Sequence, residues 1–435
     1  PLRSFFTSDF LLQKAEISFI KNDIKDLTKI TNIFLPKIIN KQLKKIFSEG
    51  TLEGEFIIPF ELDGSIGKDY AFSGKVSEAT INLIKDFSVR NLTTEINHII
   101  DEDGDGFNII IKKGLINDLQ LANSTINLKR QKSSTKVISL LRTKGKLNFP
   151  QIKKISSLLG LSINHFQDIK GTTDLKTNIN FDLSKQFKIE NLFYSIEGDI
   201  PYLEIHTEER RIIKEYLPEY DPKVIIKDAD IKFVNSKSDH KIQLNGFIKT
   251  KDKFDEFKIK EFYNYNKKVF NVNVFIDLTN SKVKVSRLNY NKDFGKKSNL
   301  FLDAIFSLDK YYNIQELRFS TSESEIDLVD IKLNNNFEVE NFKKLKIKTF
   351  ERGTKNNDFL VEKSNKTIIS GEVFDAQPLL KSLYKKDDRK TFSKDFNSQV
   401  KININKSITG TEDDVSDFAM IAKINKGTFE KLSLK

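Results

Sequence analysis

Between residues 271 and 308 the chain reads NVNVFIDLTNSKVKVSRLNYNKDFGKKSNLFLDAIFSL, and its apolar side chains recur at every second position. Val272, Val274, Ile276 and Leu278 share one face of an extended strand, Asn271, Asn273, Asp277 and Thr279 share the other, and Phe275 alone is out of place. After a polar break at Asn280 and Ser281, Val283 and Val285 alternate with Lys282, Lys284 and Ser286. A turn is expected over residues 291–298, which carry Asp293 and Gly295, and then Leu300, Leu302, Ala304, Phe306 and Leu308 return to a common face. An α-helix cannot gather a period-two pattern onto one side, because its own period is 3.6. Strands with one wet and one dry side are the signature of antiparallel meanders.

The same period runs through most of the chain. Leu52, Phe56, Ile58, Phe60 and Leu62 alternate before Gly64, and Leu175, Thr177, Ile179, Phe181 and Leu183 oppose Lys176, Asn178, Asn180 and Asp182. Helical spacing interrupts it in four places. Residues 36–48 combine Pro36 in a first turn with an Ile39, Leu43, Ile46, Phe47 stripe and a Gly50 stop; residues 150–160, 208–217 and 376–384 are shorter, the last with Asp375 as its N-cap. The organisation expected is therefore a strand and amphipathic helix over 1–50, a meander over 51–149, an interrupting helix over 150–160, a resumed meander over 161–374 and a helix with closing strands over 375–435. No Pro-, Gly- or Ser-rich seam separates these parts. The fold class that follows is mainly β: an elongated, curved antiparallel sheet of many strands, shaped as a groove, with a few short amphipathic helices.

Composition narrows the chemistry. Lys and Arg number 72 against 61 Asp and Glu, but the two signs are interleaved, so the net +11 describes a solvated face and not a phosphate track. There is no Cys, hence no disulfide, thiolate nucleophile or zinc thiolate. The four histidines at 98, 165, 206 and 240 lie far apart, without the spacing of a metal motif. Asp101, Asp103, Asp105 and Gly106 match the first half of a calcium loop, but Lys112 stands where the twelfth-position Glu belongs and the flanks read as strands, so a hairpin tip is expected. No nucleotide-binding glycine loop or nucleophile elbow is present. The expectation is a protein without catalysis, cofactor, metal or nucleic-acid partner.

Three segments, in order, resemble the AsmA-like, YhdP-type bacterial envelope proteins related to TamB. Residues 275–306 hold a D-L-T strand and the turn LNYNKDFG; IFLPKIINKQLKKIFSEGTLEG (33–54) is similar to that family's aromatic-proline helix; SGEVFDAQPLLKSL (370–383) is similar to its G-x-x-x-D-A-x-P-L-L element. Where the family's helix carries Trp and Arg, this one has Ile and Lys. The resemblance implies a fragment of a bridge-like lipid transfer protein, periplasmic and anchored in the inner membrane through a segment outside this chain. Its long β-groove would carry phospholipid towards the outer membrane, in contact with envelope membrane proteins.

The alternation supplies a physical basis for that expectation. A sheet with one dry face covers it with a second layer, closes on itself, or leaves a groove filled by something apolar. At about 0.8 kcal/mol per CH₂, a sixteen-carbon acyl chain in water costs on the order of 12 kcal/mol, so a carrier needs unbroken apolar lining. The residues expected to line it are Phe56, Ile58, Phe60, Ile179, Phe181, Val272, Val274, Ile276, Leu278, Val283, Val285, Leu300, Leu302 and Phe306. The competing expectation is a structural or adhesive extracytoplasmic β scaffold whose dry face is an ordinary closed core.

Overall fold

The computed structural model describes the chain except residues 1, 9–10, 27–46, 68–69, 85–86, 102–103, 159–162, 164–165, 187, 210, 251, 308–309, 385–393, 412, 427 and 435. The fold is mainly β, with strands over 74% of it and only short helices. It divides into two compact units. Unit 1 takes Pro1–Leu161, Lys170–Pro201 and Lys232–Lys237, and unit 2 takes Ser162–Ile169, Tyr202–Ile231 and Ser238–Lys435.

Unit 1 contains β1 (Leu2–Phe6), β2 (Leu12–Asp23), β3 (Phe47–Pro59), β4 (Ala71–Ile84), β5 (Phe87–Asp101), β6 (Gly104–Ile116), β7 (Leu119–Arg130) and β8 (Ser134–Asn148), together with most of β9 (Phe166–Ser184) and β10 (Ile189–Thr207). From β1 to β9 each strand pairs antiparallel with the next in sequence. Helix α1 (Phe149–Leu158) follows β8. Asn148 and Gln151 close its first turn reciprocally, each backbone N–H donating to the other's side-chain oxygen at 3.1 Å. Residues 150–158 of the helix expected over 150–160 are helical, and 159–160 lie outside the described residues.

Strict alternation fails at β-bulges, and the failure is what keeps the dry face dry. Val76 and Ala79 are an odd number of residues apart yet are 2% and 0% exposed, because Glu78 adopts φ 53° and the register shifts between them. Opposite, Gly50 has φ 127°, and a Cβ there would sit 2.8 Å from the Ala79 Cα, so this position excludes a side chain. Val76, Ala79, Val89, Leu92, Ile111 and Leu121 form the buried cluster of this unit, with Ile24.

In unit 2, β11 (Lys223–Asn235), whose last residues belong to unit 1, is followed by β12 (Asp239–Thr250), β13 (Lys253–Asn264), β14 (Val269–Asp277), β15 (Val283–Val285), β16 (Tyr290–Lys292), β17 (Ser298–Ser307), β18 (Tyr311–Thr321) and β19 (Glu325–Leu333). Then come β20 (Val339–Asn341), β21 (Lys344–Glu351), β22 (Thr354–Lys363), β23 (Thr367–Asp375), β24 (Ser398–Ile408), β25 (Val415–Asn425) and β26 (Thr428–Leu434). The ladder runs β12–β13–β14–β17–β18–β19–β21–β22–β23 antiparallel. Strand β23 then pairs parallel with β24, and β24–β25–β26 is antiparallel again. The ladder is mainly antiparallel, with β23–β24 its parallel pair. Helix α3 (Gln377–Tyr384) lies in the connection between β23 and β24, and a parallel neighbour requires such a crossover. Asp375 caps α3 as expected, its Oδ1 accepting from the Gln377 N–H at 3.1 Å.

Helix α2 spans Arg211–Tyr216, inside the expected 208–217. The expected helix at 36–48 lies outside the described residues except for Phe47 and Ser48, which open β3.

Candidate functional site

The feature of unit 2 with functional potential is the face onto which its apolar side chains register. Cross-strand partners in a ladder share a face, so the pairings define rows running across the strands. One row reads Leu244, Ile259, Val274, Leu302, Leu317 and Leu328 on β12 to β19. It continues as Leu345, Val361, Ile369, Ile402 and Met420 on β21 to β25. Eleven strands contribute eleven apolar residues without a polar interruption. At about 4.8 Å between strands the row is about 50 Å long. Ten of these side chains remain half-exposed, and Val361 alone is buried.

A parallel row contains Phe257, Ile276, Leu300, Phe319, Ile326, Ile347 and Phe359. Here water is largely excluded, because residues 278–298 leave the sheet and fold over this end of the face. Leu278, Val283, Leu288 and Tyr290 from that segment join Phe319, Ile326, Ile347 and Phe359 in one buried cluster. The cover is held by polar groups that water does not reach. Asn357 Nδ2 donates to the Leu288 carbonyl (2.8 Å) and to Thr349 Oγ1 (2.9 Å), and its Oδ1 accepts from the Asp375 N–H (3.0 Å). Asn356 Nδ2 donates to the Leu288 and Asn289 carbonyls (3.1 Å each), and Asn289 Nδ2 donates to Asp375 Oδ2 (2.8 Å). Lys292 is 1% exposed, and its ammonium donates to the carbonyls of Thr279 (2.9 Å), Ser281 (2.7 Å) and Leu278. Burial pushes this amine down to about 8, against the opposing pull of Asp255, Asp277 and Asp293.

The opposite end of the face is lined by rings. His240, Tyr263, Phe270, Phe306 and Tyr312 are successive cross-strand partners on β12, β13, β14, β17 and β18. Their ring centroids are 5.3, 4.2, 5.0 and 5.9 Å apart in that order, and Phe337 stacks on Tyr312 at 4.9 Å. The acidic residue next to this row, Glu261, meets His240 Nε2 at 3.0 Å, while His240 Nδ1 meets the Tyr265 hydroxyl at 3.0 Å.

The residues expected to line a groove distribute as follows. Val272, Val274 and Ile276 on β14 and Leu300, Leu302 and Phe306 on β17 share this one half-exposed face. Phe275 is on the reverse side, opposite Phe301, with Lys258 Nζ 5.8 Å from its ring centroid. Three assignments are corrected. Leu278 is 4% exposed and belongs to the core beneath the cover. Val283 and Val285 form β15, which pairs only with β16 in a separate two-stranded sheet, so they do not line the main face. The expected turn at 291–298 is shorter, since Tyr290–Lys292 is itself strand β16. The rows beyond β17 lie outside the expected lining, although alternation is visible in Leu317, Phe319 and in Ile326, Leu328.

Unit 1 carries its own rows. Ile96, Ile109, Ile126, Ser139 and Ile179 are successive partners, and beside them Phe107, Leu128, Val137 and Phe181. Phe56 pairs with Ile17 and Phe72, and Ile58 pairs with Ala15. Following register, Phe56, Ile58, Ile179 and Phe181 share a face and are half-exposed. Phe60 lies just past β3, in an isolated bridge to Ile66.

Among the described residues no cluster of carboxylates and histidines is arranged to hold a metal ion. Strands β5 and β6 pair as far as Asp101 opposite Gly104, and Asp103 of the expected hairpin tip lies outside the described residues. Asp105 Oδ2 is 3.3 Å from the Arg130 guanidinium and accepts from the Tyr70 hydroxyl at 3.2 Å. Among the described residues no helix is long and apolar enough to cross a membrane. No family model, curated protein or solved structure matches the chain.

Proposed function

We propose that this protein is a non-enzymatic carrier of phospholipid, holding acyl chains against the apolar face and passing them along its rows between the inner and outer membranes of a bacterial envelope. The observation that carries the reading is the eleven-residue row of unit 2, in register and, Val361 apart, half-exposed. In a closed core such residues would be sealed, as Phe319 and Ile326 are under the cover. A continuous aliphatic lining offers an acyl chain equal contact at every step, with no headgroup clamp to stop it. The resemblance to AsmA-like proteins points the same way and supplies the periplasmic setting, with membrane proteins as partners.

The test is mass spectrometry of organic extracts from the purified full chain. Phospholipid in stoichiometric amount, lost in a Leu302→Asp variant that still folds, is the expected result. A lipid-free protein that also fails to take up fluorescent phospholipid from vesicles would replace this reading with the closed scaffold.

A further inference from the structure

We propose that the aromatic row of unit 2 is the level at which the headgroup of a bound amphiphile rides, and that headgroups of net negative charge are preferred there. The inference rests on the carrier reading and specifies what that reading leaves open: which side of the face the polar end occupies, and its charge.

The face is asymmetric from one rim to the other. At one rim the cover of residues 278–298 buries Phe319, Ile326, Ile347 and Phe359 with its own apolar side chains, and Ile276 and Leu300 pack partly buried against that cluster. At the other rim His240, Tyr263, Phe270, Phe306, Tyr312 and Phe337 form an unbroken band of rings. Tyrosine and histidine present an apolar body with a polar tip, which suits them to the junction between hydrocarbon and water. From Leu300 to Phe306 is six steps of strand, about 20 Å, apolar on this face of β14 and β17, enough for an extended acyl chain to run from the ring band to the cover.

Charge at the open rim gives the sign. Lys267 and Lys268 stand exposed in the β13–β14 turn and Lys310 in the adjoining β17–β18 turn, and among the described residues none of the three has a carboxylate partner. The acids nearby are engaged locally, Asp239 accepting from Ser238 Oγ at 2.7 Å and Glu338 from Asn334 Nδ2 at 2.9 Å. Three exposed ammonium groups just outside a band of rings complement a headgroup of net negative charge.

The chain has no Trp, so single introduced tryptophans report position without background. The full chain is prepared as Phe306→Trp, Leu302→Trp and, on the reverse face, Phe275→Trp. Each is titrated with phosphatidylcholine spin-labelled on its headgroup and with phosphatidylcholine brominated in mid-chain. Headgroup label is expected to quench the Phe306→Trp protein preferentially, bromine the Leu302→Trp protein, and neither the Phe275→Trp protein. Equal bromine quenching at Phe306→Trp and Leu302→Trp, with no headgroup quenching, overturns this proposal and leaves the carrier reading standing. Absence of quenching in all three overturns both. In the Leu302→Trp background, Lys267→Glu, Lys268→Glu and Lys310→Glu together should raise the phosphatidylglycerol needed for half-maximal effect on the order of tenfold, with phosphatidylcholine changed less than about twofold. An equal change for both lipids overturns the preference for net negative charge.

Discussion

Replacing Asn357 by Leu tests whether the cover over the apolar face is latched by buried polar groups. The substitution keeps the branched shape, but its methyl groups replace atoms held at 2.8–3.0 Å from their partners in a fully buried site, so overpacking adds to the loss of hydrogen bonding, which sets the lower bound. Three partners are affected. The Leu288 carbonyl keeps the Asn356 donor and Thr349 Oγ1 keeps its bond to Asn356 Oδ1 (2.8 Å), so each loses one bond of two. The Asp375 N–H loses the Asn357 oxygen and is left buried without an acceptor. Two net bonds at about 0.5–1.5 kcal/mol each and one orphaned donor at about 1–3 kcal/mol sum to about 2–6 kcal/mol. Because the lost bonds join Leu288 to the sheet, the loss should appear first as opening of residues 286–292. Hydrogen exchange of the Leu288 to Lys292 amides should accelerate at least about thirtyfold at the lower bound. Exchange in unit 1, for example in β6 and β7, should not change. A variant whose exchange over 286–292 rises less than threefold would refute the latch.

Three further outcomes are expected. Ile276→Asp or Leu302→Asp should impair folding or lipid crosslinking, while Asn273→Asp on the reverse side of β14 and Lys284→Glu should stay within roughly ±0.5 kcal/mol in urea denaturation; equal damage from both sets would refute the face assignment. Calcium should leave the melting temperature unchanged, since Asp105 is already engaged by Arg130 and Tyr70; a rise of several degrees reversed by chelator would reveal a site. Lys292 has a folded-state pKa of about 8, below its unfolded value. Between pH 8 and the unfolded value the unfolded chain holds the extra proton, so this residue's contribution to stability rises with pH there. Compared with Lys292→Met, the wild-type protein should therefore gain up to about 1.4 kcal/mol per pH unit from pH 8 upward, and a relative loss over that range would contradict the burial argument.

What the sequence alone determines is local. In β14 and β17 the pleat puts alternate side chains on opposite sides whatever the strand pairs with, so Val272, Val274, Ile276, Leu300, Leu302 and Phe306 could be assigned to a common face from spacing. The Asp375 cap and the Pro150 helix start are equally local, since a side-chain oxygen reaches backbone amides within its own turn. Other features depend on partners far away in sequence. A bulge such as that at Glu78 inverts the alternation of everything beyond it, and only the neighbouring strand reveals where the shift falls. The eleven-strand row exists because each hairpin fixes the next register, and β24 continues it only through a parallel pairing that no strand pattern announces. Val283 and Val285 carry the same alternation as their neighbours. They leave the main sheet because Lys292, Asn356 and Asn357 bind the backbone of residues 278–289, and their burial depends on sheet residues dozens of positions away. The charge on Lys292 and the single stacked band from His240 to Phe337 have the same origin: desolvation and ring contact are set by what tertiary pairing brings alongside, and the period of a strand says nothing about that.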